Sequence, residues 1–464
     1  MNKKRVIILG AGPGGYAAAF LAADRGMNVT LIDENPKPGG VCLHRGCIPS
    51  KSLLHLSRLI EEARNAEVCG VKFSAPEINL NRIREWKSEV VNKMANGLIS
   101  LCKQRGVEFL NGRARFLDGN NLVINDSDRM SFDHCILATG SQPVCPPLFS
   151  AIGDRSLTST SALELEDIPE RLLVVGGGYI GLELGTVYSS LGSQVTVVEM
   201  TGDILTGVDR DLVRPLFSRL KSQFQNIYLN TQVVSCAVQD DQVTVQFNGD
   251  VVTAVYDRVL IAVGRKPNTM DIGLESTGIK TNDKGFIQVD ERFQTGEPSI
   301  YAIGDVIGGA MLAHKASTEG KEVVEFLSDE GFSRKVRSVP AVIFTDPEIA
   351  WCGLTETEAE NNNRKVQVAK FPWGASGRAQ TLGRPDGVTK LILDPGTEQV
   401  LGMGITGVGA GELIGEGVLA VDSGLKAKDL AHSIHPHPTL SETIMESAEA
   451  FYGEATHIYK RPRK

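Results

Sequence analysis

The chain has 464 residues, of which 42% are hydrophobic and 22% charged, with 49 Gly and 20 Pro. This length suits about three domains, and the composition excludes collagen-like, coiled-coil and disordered chains. With 48 basic against 56 acidic residues the formal charge is −8, which argues against a general nucleic-acid binder, and no run reaches the ~20 unbroken apolar residues of a membrane helix.

Lys3-Lys4-Arg5 followed by apolar residues imitates the start of a secretory signal. Gly10-Ala11-Gly12-Pro13-Gly14-Gly15 interrupts that run, so no targeting segment is expected and the chain is expected to be cytoplasmic. The basic tail Lys460, Arg461, Arg463 and Lys464 reads as a solvated end. Eight cysteines are too few for a disulfide-stapled scaffold.

The strongest organisational signal is an internal repeat. In the first copy the apolar run Val6–Leu9 leads into Gly10-x-Gly12-x-x-Gly15, an alanine-rich helix from Tyr16 to Asp24, and a strand Val29–Ile32 that ends at Asp33. In the second, Leu172–Val175 leads into Gly176-x-Gly178-x-x-Gly181, a helix through Leu182 to Leu191, and a strand Val195–Val198 that ends at Glu199. Each reads as a βαβ unit, and in both the acid lies 23 residues after the first glycine. The closing phrases Ile136-Leu137-Ala138-Thr139-Gly140 and Leu260-Ile261-Ala262-Val263-Gly264 lie 128 and 86 residues beyond their glycine turns. The first copy therefore carries an insertion, placed between Pro38 and Leu101.

Beyond Gly264 a short strand ends in Ile300–Asp305, and a helix is expected over roughly 312–327. A last domain begins near Ser338-Val339-Pro340. Its strands are expected near 341–344, 366–369, 388–393 and 400–405, and its helices near 410–422 and 441–451.

The glycine pattern has a steric cause. The first glycine permits the tight turn, the second lets backbone approach a pyrophosphate, and the third lets helix pack on strand. The helix N-terminus then faces the phosphates, and the acid accepts from a ribose diol. Two such folds imply two dinucleotides, and flavin with nicotinamide is the pair between which hydride passes. The first fold is assigned FAD through Asp33, with Glu34 a competing acid. Glu199, with no Arg or Lys before Asp209, favours NAD over NADP in the second. A third match, Gly402-x-Gly404-x-x-Gly407, lacks the βαβ context and is assigned to a strand-to-helix turn without a nucleotide role.

The segment Gly39-Gly40-Val41-Cys42-Leu43-His44-Arg45-Gly46-Cys47-Ile48-Pro49-Ser50-Lys51 places two cysteines five positions apart in the insertion. If they open a helix they lie close enough for a small-loop disulfide, and a helix N-terminus stabilises a thiolate. A redox pair is the favoured reading. Buried apolar cysteines or half a zinc site are the alternatives, and Cys69 and His55 complete no recognised zinc pattern, so no metal is expected.

These segments resemble the flavin-dependent pyridine nucleotide–disulfide oxidoreductases over essentially the whole chain. The resemblance rests on Gly10–Gly15, Cys42–Lys51, Gly176–Gly185 with Glu199, Gly304-Asp305, and His435-Pro436-His437-Pro438-Thr439-Leu440-Ser441-Glu442. Within that family the chain most resembles the dihydrolipoamide dehydrogenases. The resemblance implies an α/β fold of two Rossmann-like domains, for FAD and NAD, plus a C-terminal α+β dimerisation domain. The divisions are 1–145 (FAD, with the cysteine insertion), 146–268 (NAD), 269–338 (completing the FAD site) and 339–464 (dimerisation).

It further implies that Cys42 is the interchange thiol and Cys47 the thiol against the flavin. Lys51 would sit near the flavin with Glu183 as its partner. Gly10, Gly12, Gly14, Gly15, Asp33, Thr139, Gly140, Gly304, Asp305 and Ala313 would hold FAD, and Gly176, Gly178, Gly181, Glu199 and Gly264 would hold NAD. His437 would be the acid–base group, oriented by Glu442 and acting on the cysteine pair of the other subunit of a homodimer. An imidazole can take a thiol proton near neutral pH, and Glu442 can fix its tautomer if Pro438 opens a helix after a turn. His435 is the alternative histidine.

The implied reaction is oxidation of dihydrolipoyl groups by NAD+. No lipoyl domain is read ahead of Met1, so the substrate is expected on a carrier: an E2-type subunit or a glycine-cleavage carrier protein. His44-Arg45 departs from the family's more usual Asn-Val, and its charge is expected to lower the thiolate pKa. Tyr179 stands where some relatives have Ile; in glutathione reductases a Tyr there gates the nicotinamide pocket, so this position does not decide the subfamily. Glutathione reductase is disfavoured by Glu199 without arginines, mercuric reductase by the tail without a cysteine pair, and soluble transhydrogenase by the redox cysteines themselves. A non-catalytic flavoprotein is disfavoured by the set Cys42, Cys47, His437 and Glu442.

Overall fold

The computed structural model describes residues 3–249, 251–328 and 338–459. Met1 and the basic tail Lys460–Lys464 lie outside the described residues. The fold is α/β, built on two five-stranded parallel sheets and a five-stranded antiparallel sheet.

The internal repeat extends to the sheets themselves. The first parallel sheet has the spatial order Glu108–Asn111, Asn28–Asp33, Arg5–Leu9, His134–Leu137, Ile300–Ala302. The second has Asn226–Tyr228, Gln194–Val198, Arg171–Val175, Arg258–Ile261, Ser156–Thr158. The first four strands in each order correspond one to one. The fifth comes from downstream in the first sheet and from upstream in the second. The chain therefore leaves the first fold, builds the second, and returns. A two-stranded antiparallel ribbon, Ser141–Pro143 against Arg265–Pro267, marks the crossing.

These strands are apolar runs because both faces are covered, as parallel sheets require. Val6, Ile8, Leu31 and Ile136 are buried in one core, and Leu172, Val174, Val195 and Leu260 in another. The turns explain their glycines. A Cβ on Gly10 would lie 2.2 Å from Ala138 O, and one on Gly15 would lie 1.8 Å from Gly10 O. In the second copy the same contacts recur, Gly176 to Ala262 O at 2.5 Å and Gly181 to Gly176 O at 2.3 Å.

The insertion is helical: Gly40–Arg45, Cys47–Asn65 and Leu80–Arg105. The first glycine-turn helix starts at Pro13 rather than Tyr16, since proline suits the first helical position. Two three-stranded antiparallel sheets, 114–131 and 233–256, escaped the sequence reading, as did the strand Glu348–Gly353 and the helix Ala427–His432.

Two expectations need correction. Gly402, Gly404 and Gly407 lie inside the strand Val400–Gly407, not in a turn after it. They are small because a Cβ there would meet Leu354 O at 2.0 Å, Leu212 Cδ1 at 2.6 Å and the Trp373 ring at 2.2 Å. Nor does Pro438 open a helix: the His437–Pro438 peptide is cis, and the helix begins at Glu442, with Ser441 as its N-cap.

Candidate active site

The C-terminal ends of all five strands of the first parallel sheet open onto one cavity of about 640 Å3. This is where an open α/β sheet places its ligand. Of the residues expected to hold FAD, the cavity is lined by Gly10, Gly12, Gly14, Asp33, Thr139, Gly140, Gly304, Asp305 and Ala313. Gly15 lies beneath the turn, packed on Gly10 O. A Cβ on Gly12 would meet nothing nearer than 4.0 Å, so the space over the turn is a cradle that a side chain would fill. Gly14 is small for another reason: its Cβ would approach Ala316 O to 3.0 Å, where the helices Pro13–Asp24 and Ala313–Ser328 pack together. The donors, the glycine cradle and the helix N-termini fit the dinucleotide FAD.

Asp33 accepts from Ala11 N at 2.6 Å through Oδ2, and from Asn35 N and Nδ2 through Oδ1. Glu34 also lines the cavity, 3.5 Å from the Arg113 guanidinium. The second turn repeats the first bond, with Gly177 N donating to Glu199 Oε2 at 2.7 Å. Glu199 Oε1 accepts from Thr201 N and Oγ1. Gly178 has open space over it, and Gly181 packs on Gly176 O. The next arginine along the chain, Arg210, donates to the carbonyls of Ile204, Leu205 and Val208 and lies 3.5 Å from Asp203 Oδ1. No Arg or Lys lies between Glu199 and Asp209 to receive a 2′-phosphate, which fits NAD. Gly264 closes this fold with φ +137° and accepts from Val144 N.

The two cysteines do not share a helix. Cys42 belongs to the short helix 40–45, Gly46 breaks it, and Cys47 opens the 19-residue helix Cys47–Asn65. Both are free thiols in side-chain contact with each other, and both line the cavity. The hydrogen bond from Cys42, together with the Lys51 charge, brings the Cys47 thiol down to about 7 against the opposing effect of burial. The same pairing, with burial, pushes the Cys42 thiol up. The N-terminus of helix 47–65 adds to the asymmetry.

Lys51 Nζ lies 2.8 Å from Glu183 Oε2 and 4.5 Å from the Phe344 ring centroid. It stands behind the thiols, on the wall of a second cavity, and does not line the first. His44 and Arg45, expected to add charge beside the thiols, have other partners. The His44 ring bonds to the carbonyls of Lys37 and Pro38, and Arg45 donates to Asn35 Oδ1 at 2.6 Å. The cation acting on the thiols is Lys51.

His437 Nδ1 bonds to Glu442 Oε1 at 2.8 Å, and Thr439 N donates to Glu442 Oε2 at 2.7 Å. Burial opposes ionisation of Glu442, but these two partners outweigh it and hold the carboxyl below its usual range. Nδ1 is therefore the donor, which leaves Nε2 unpartnered among the described residues on a side chain that is 72% exposed. His435 differs: its nitrogens go to Ser433 O and Glu416 Oε1. His437 is absent from the lining of its own chain's thiol cavity.

The sequence reading missed Asn35, Arg113, Ser141, Arg265 and Asn268 on the cavity wall, and it named Arg45 and Tyr179 without placing them there. Arg265 donates from Nε to Ser141 Oγ, which donates to Asp305 Oδ2 at 2.5 Å. Asn35, Arg113 and Asn268 come within two residues of the end of a sheet or ribbon strand, and that position is the signal that could have found them. Tyr179 opens the second turn's helix and still faces the first cavity; burial pushes its hydroxyl up to about 12.

Comparison with known proteins decides the family. Residues 4–320 match the model described as pyridine nucleotide-disulphide oxidoreductase, and residues 339–448 match the dimerisation domain of the same group. The chain belongs to the pyridine nucleotide-disulphide oxidoreductases. A dihydrolipoyl dehydrogenase of Vibrio parahaemolyticus is 43% identical, covering 98% of this chain and 97% of that one. One of Bacillus subtilis is 41% identical, with the same coverage of each. Among solved structures, LpdA from Mycobacterium tuberculosis superposes with a TM-score of 0.90 at 28% identity, covering 97% of this chain and 99% of that one. The HOCl-induced flavoprotein disulfide reductase RclA of Escherichia coli, as its Cu(II) complex, gives 0.86 at 29%, with the same coverage. The dimerisation-domain match supports a homodimer. Among the described residues no helix is long and apolar enough to cross a membrane.

Proposed function

We propose that this chain oxidises dihydrolipoyl groups to lipoyl groups, with NAD+ as the final acceptor. One observation carries the reading: two thiols in contact, one held near neutral pKa, on the wall of a dinucleotide cavity. The full-length likeness to dihydrolipoyl dehydrogenases supports it.

FAD and NAD(H) are the cofactors, and bound FAD supplies two-electron transfer from the dithiol to NAD+. The protein's own residues carry the sulfur chemistry. In the oxidised enzyme Cys42 and Cys47 are joined. A dihydrolipoyl thiolate attacks Cys42 sulfur, the Cys42–Cys47 bond breaks, and Cys47 leaves as the thiolate that Lys51 and the helix N-terminus favour. The second substrate thiolate then displaces Cys42, which forms the lipoyl disulfide and leaves the enzyme dithiol.

His437 takes the thiol protons at Nε2, while Glu442 holds Nδ1–H. In this reading His437 serves the thiol pair of a second copy of the chain, so the homodimer is the active unit. The substrate arrives on a lipoyl-bearing carrier protein of a multienzyme complex. Asp33 and the first turn hold FAD, and Glu199 and the second hold NAD. The chain divides at 145, 268 and 338 as the resemblance implies.

The test is anaerobic mixing of the holoenzyme with dihydrolipoamide, followed by NAD+. Flavin reduction and then NADH formation are expected, with NADP+ and glutathione disulfide as poor alternatives. Efficient NADPH-driven reduction of glutathione disulfide, or no reduction by dihydrolipoamide, overturns the reading.

A further inference from the structure

Three arginines line the first cavity: Arg45, Arg113 and Arg265. Two of them are already engaged. Arg113 lies 3.5 Å from carboxylate oxygens of both Glu34 and Asp271. Arg265 is bound to Ser141 through Nε and Nη2, and Ser141 is bound to Asp305. Arg45 is different. Its partner is a neutral amide, Asn35 Oδ1 at 2.6 Å, and among the described residues it has no ion pair with a carboxylate.

The position of Arg45 is set by a short polar chain. Asn35 presents its oxygen to Arg45 and its Nδ2 to Asp33 Oδ1 at 2.6 Å, and Asp33 Oδ2 holds Ala11 N of the glycine turn. The backbone closes the arrangement from the other side. Gly40, which opens the short helix ending in Arg45, packs so tightly on the turn that a Cβ would lie 2.5 Å from Gly12 Cα. The guanidinium is thus tethered to the acid and the turn that flank the cradle over Gly12. A half-buried guanidinium without a counter-charge is costly unless the ligand brings one.

We infer that Arg45 is a FAD-binding residue, and that it recognises the negatively charged ADP half of the cofactor rather than the isoalloxazine or the thiols. The inference rests on the assignment of FAD to this cavity. It gives the segment between the two cysteines a second duty: Cys42 and Cys47 face the redox chemistry, and Arg45 between them neutralises phosphate charge. A charge-assisted contact of this kind is worth about ten- to hundredfold in affinity.

The test is equilibrium binding to the deflavinated full-length protein, read by quenching of flavin fluorescence. Wild type, Arg45→Met and Arg45→Lys are compared with FAD and with riboflavin, and ADP is used as a competitor of FAD. The expected result is about a tenfold or greater loss of FAD affinity in Arg45→Met and a parallel loss of ADP competition. Riboflavin binding should be unchanged, and Arg45→Lys should recover part of the loss. Equal loss for FAD and riboflavin would mean a distorted cavity and overturns the inference. FAD and ADP affinities within about twofold of wild type also overturn it. Failure of the wild-type apoprotein to bind FAD at all would instead remove the cofactor assignment beneath it.

Discussion

Lys51 Nζ sits 2.8 Å from Glu183 Oε2, and this contact joins the helix that Cys47 opens to the helix of the second glycine turn. Glu183 is used twice, since its Oε1 accepts from Phe344 N at 2.9 Å at the edge of the antiparallel sheet. The charge that favours the Cys47 thiolate is therefore positioned by three separate parts of the chain.

Removing that charge has a defined sign. A nearby cation favours the thiolate, so Lys51→Met is expected to move the Cys47 titration upward from about 7, by about one unit. The long-wavelength thiolate–flavin absorption, followed against pH in the reduced enzyme, measures the shift. A midpoint that stays in place contradicts the assignment of Lys51 as the controlling cation.

The two histidines near the C-terminus are expected to separate cleanly. His437→Gln removes the free Nε2 and is expected to lower kcat by about 10²- to 10⁴-fold. His435→Gln, whose ring is occupied by Ser433 O and Glu416, should leave turnover near wild type. Glu442→Gln should fall between them, because it loosens the tautomer without removing the imidazole. Steady-state kinetics with dihydrolipoamide discriminates, and equal effects of the two histidine substitutions would refute the roles.

A second charge cluster governs stability. Lys390 Nζ is 1% exposed and lies 2.6–2.8 Å from carboxylates of Asp209, Asp211 and Glu356. Those three carboxylates could otherwise gather a cation, and the ammonium occupies their centre. Lys390→Met leaves them without that charge and is expected to cost about 3–5 kcal/mol, read by denaturant unfolding. Burial opposes ionisation of Asp209, yet Lys390 and the N–H groups of Glu356 and Thr357 hold its carboxyl at about 2.

A depressed carboxyl stabilises the fold above its unfolded pKa, so this contribution is complete at neutral pH. It is lost as pH falls from about 4 through about 2. Thermal unfolding across that range should be steeper for wild type than for Asp209→Asn; parallel curves would count against the cluster.

Nicotinamide choice should follow Glu199. Exchanging it for a neutral residue and placing a cation beside it, as in the double change Glu199→Ser with Met200→Arg, removes repulsion of a 2′-phosphate and adds attraction. Met200 is 69% exposed and free to carry it. The ratio of kcat/KM for NADPH to that for NADH is expected to rise by about 10²-fold or more. An unchanged ratio would place the ribose elsewhere.

The local elements were legible wherever sequence period and backbone sterics coincide. Both βαβ units, their acids and the cysteine segment follow from a glycine pattern in which Gly10, Gly15, Gly176 and Gly181 leave no room for a Cβ, and from strands buried on both faces. The meanders at 114–131 and 233–256 were not legible, because their strands are three to seven residues long and several have exposed faces. The glycines of Val400–Gly407 misled for a related reason: their smallness answers to Leu354, Leu212 and Trp373, which are distant in sequence.

Taken alone, the order of residues determined which groups the proposed chemistry uses: two thiols, an imidazole with its carboxylate, and two glycine turns proposed to bind phosphate. Only the folded chain decided how they are divided. It set Cys42 and Cys47 on either side of a helix break, gave Lys51 rather than Arg45 the task of acting on them, and left His437 outside its own chain's cavity. The reason is that charge acts through distance in space, and those distances are fixed by which strand ends meet and which helices pack, not by spacing along the backbone.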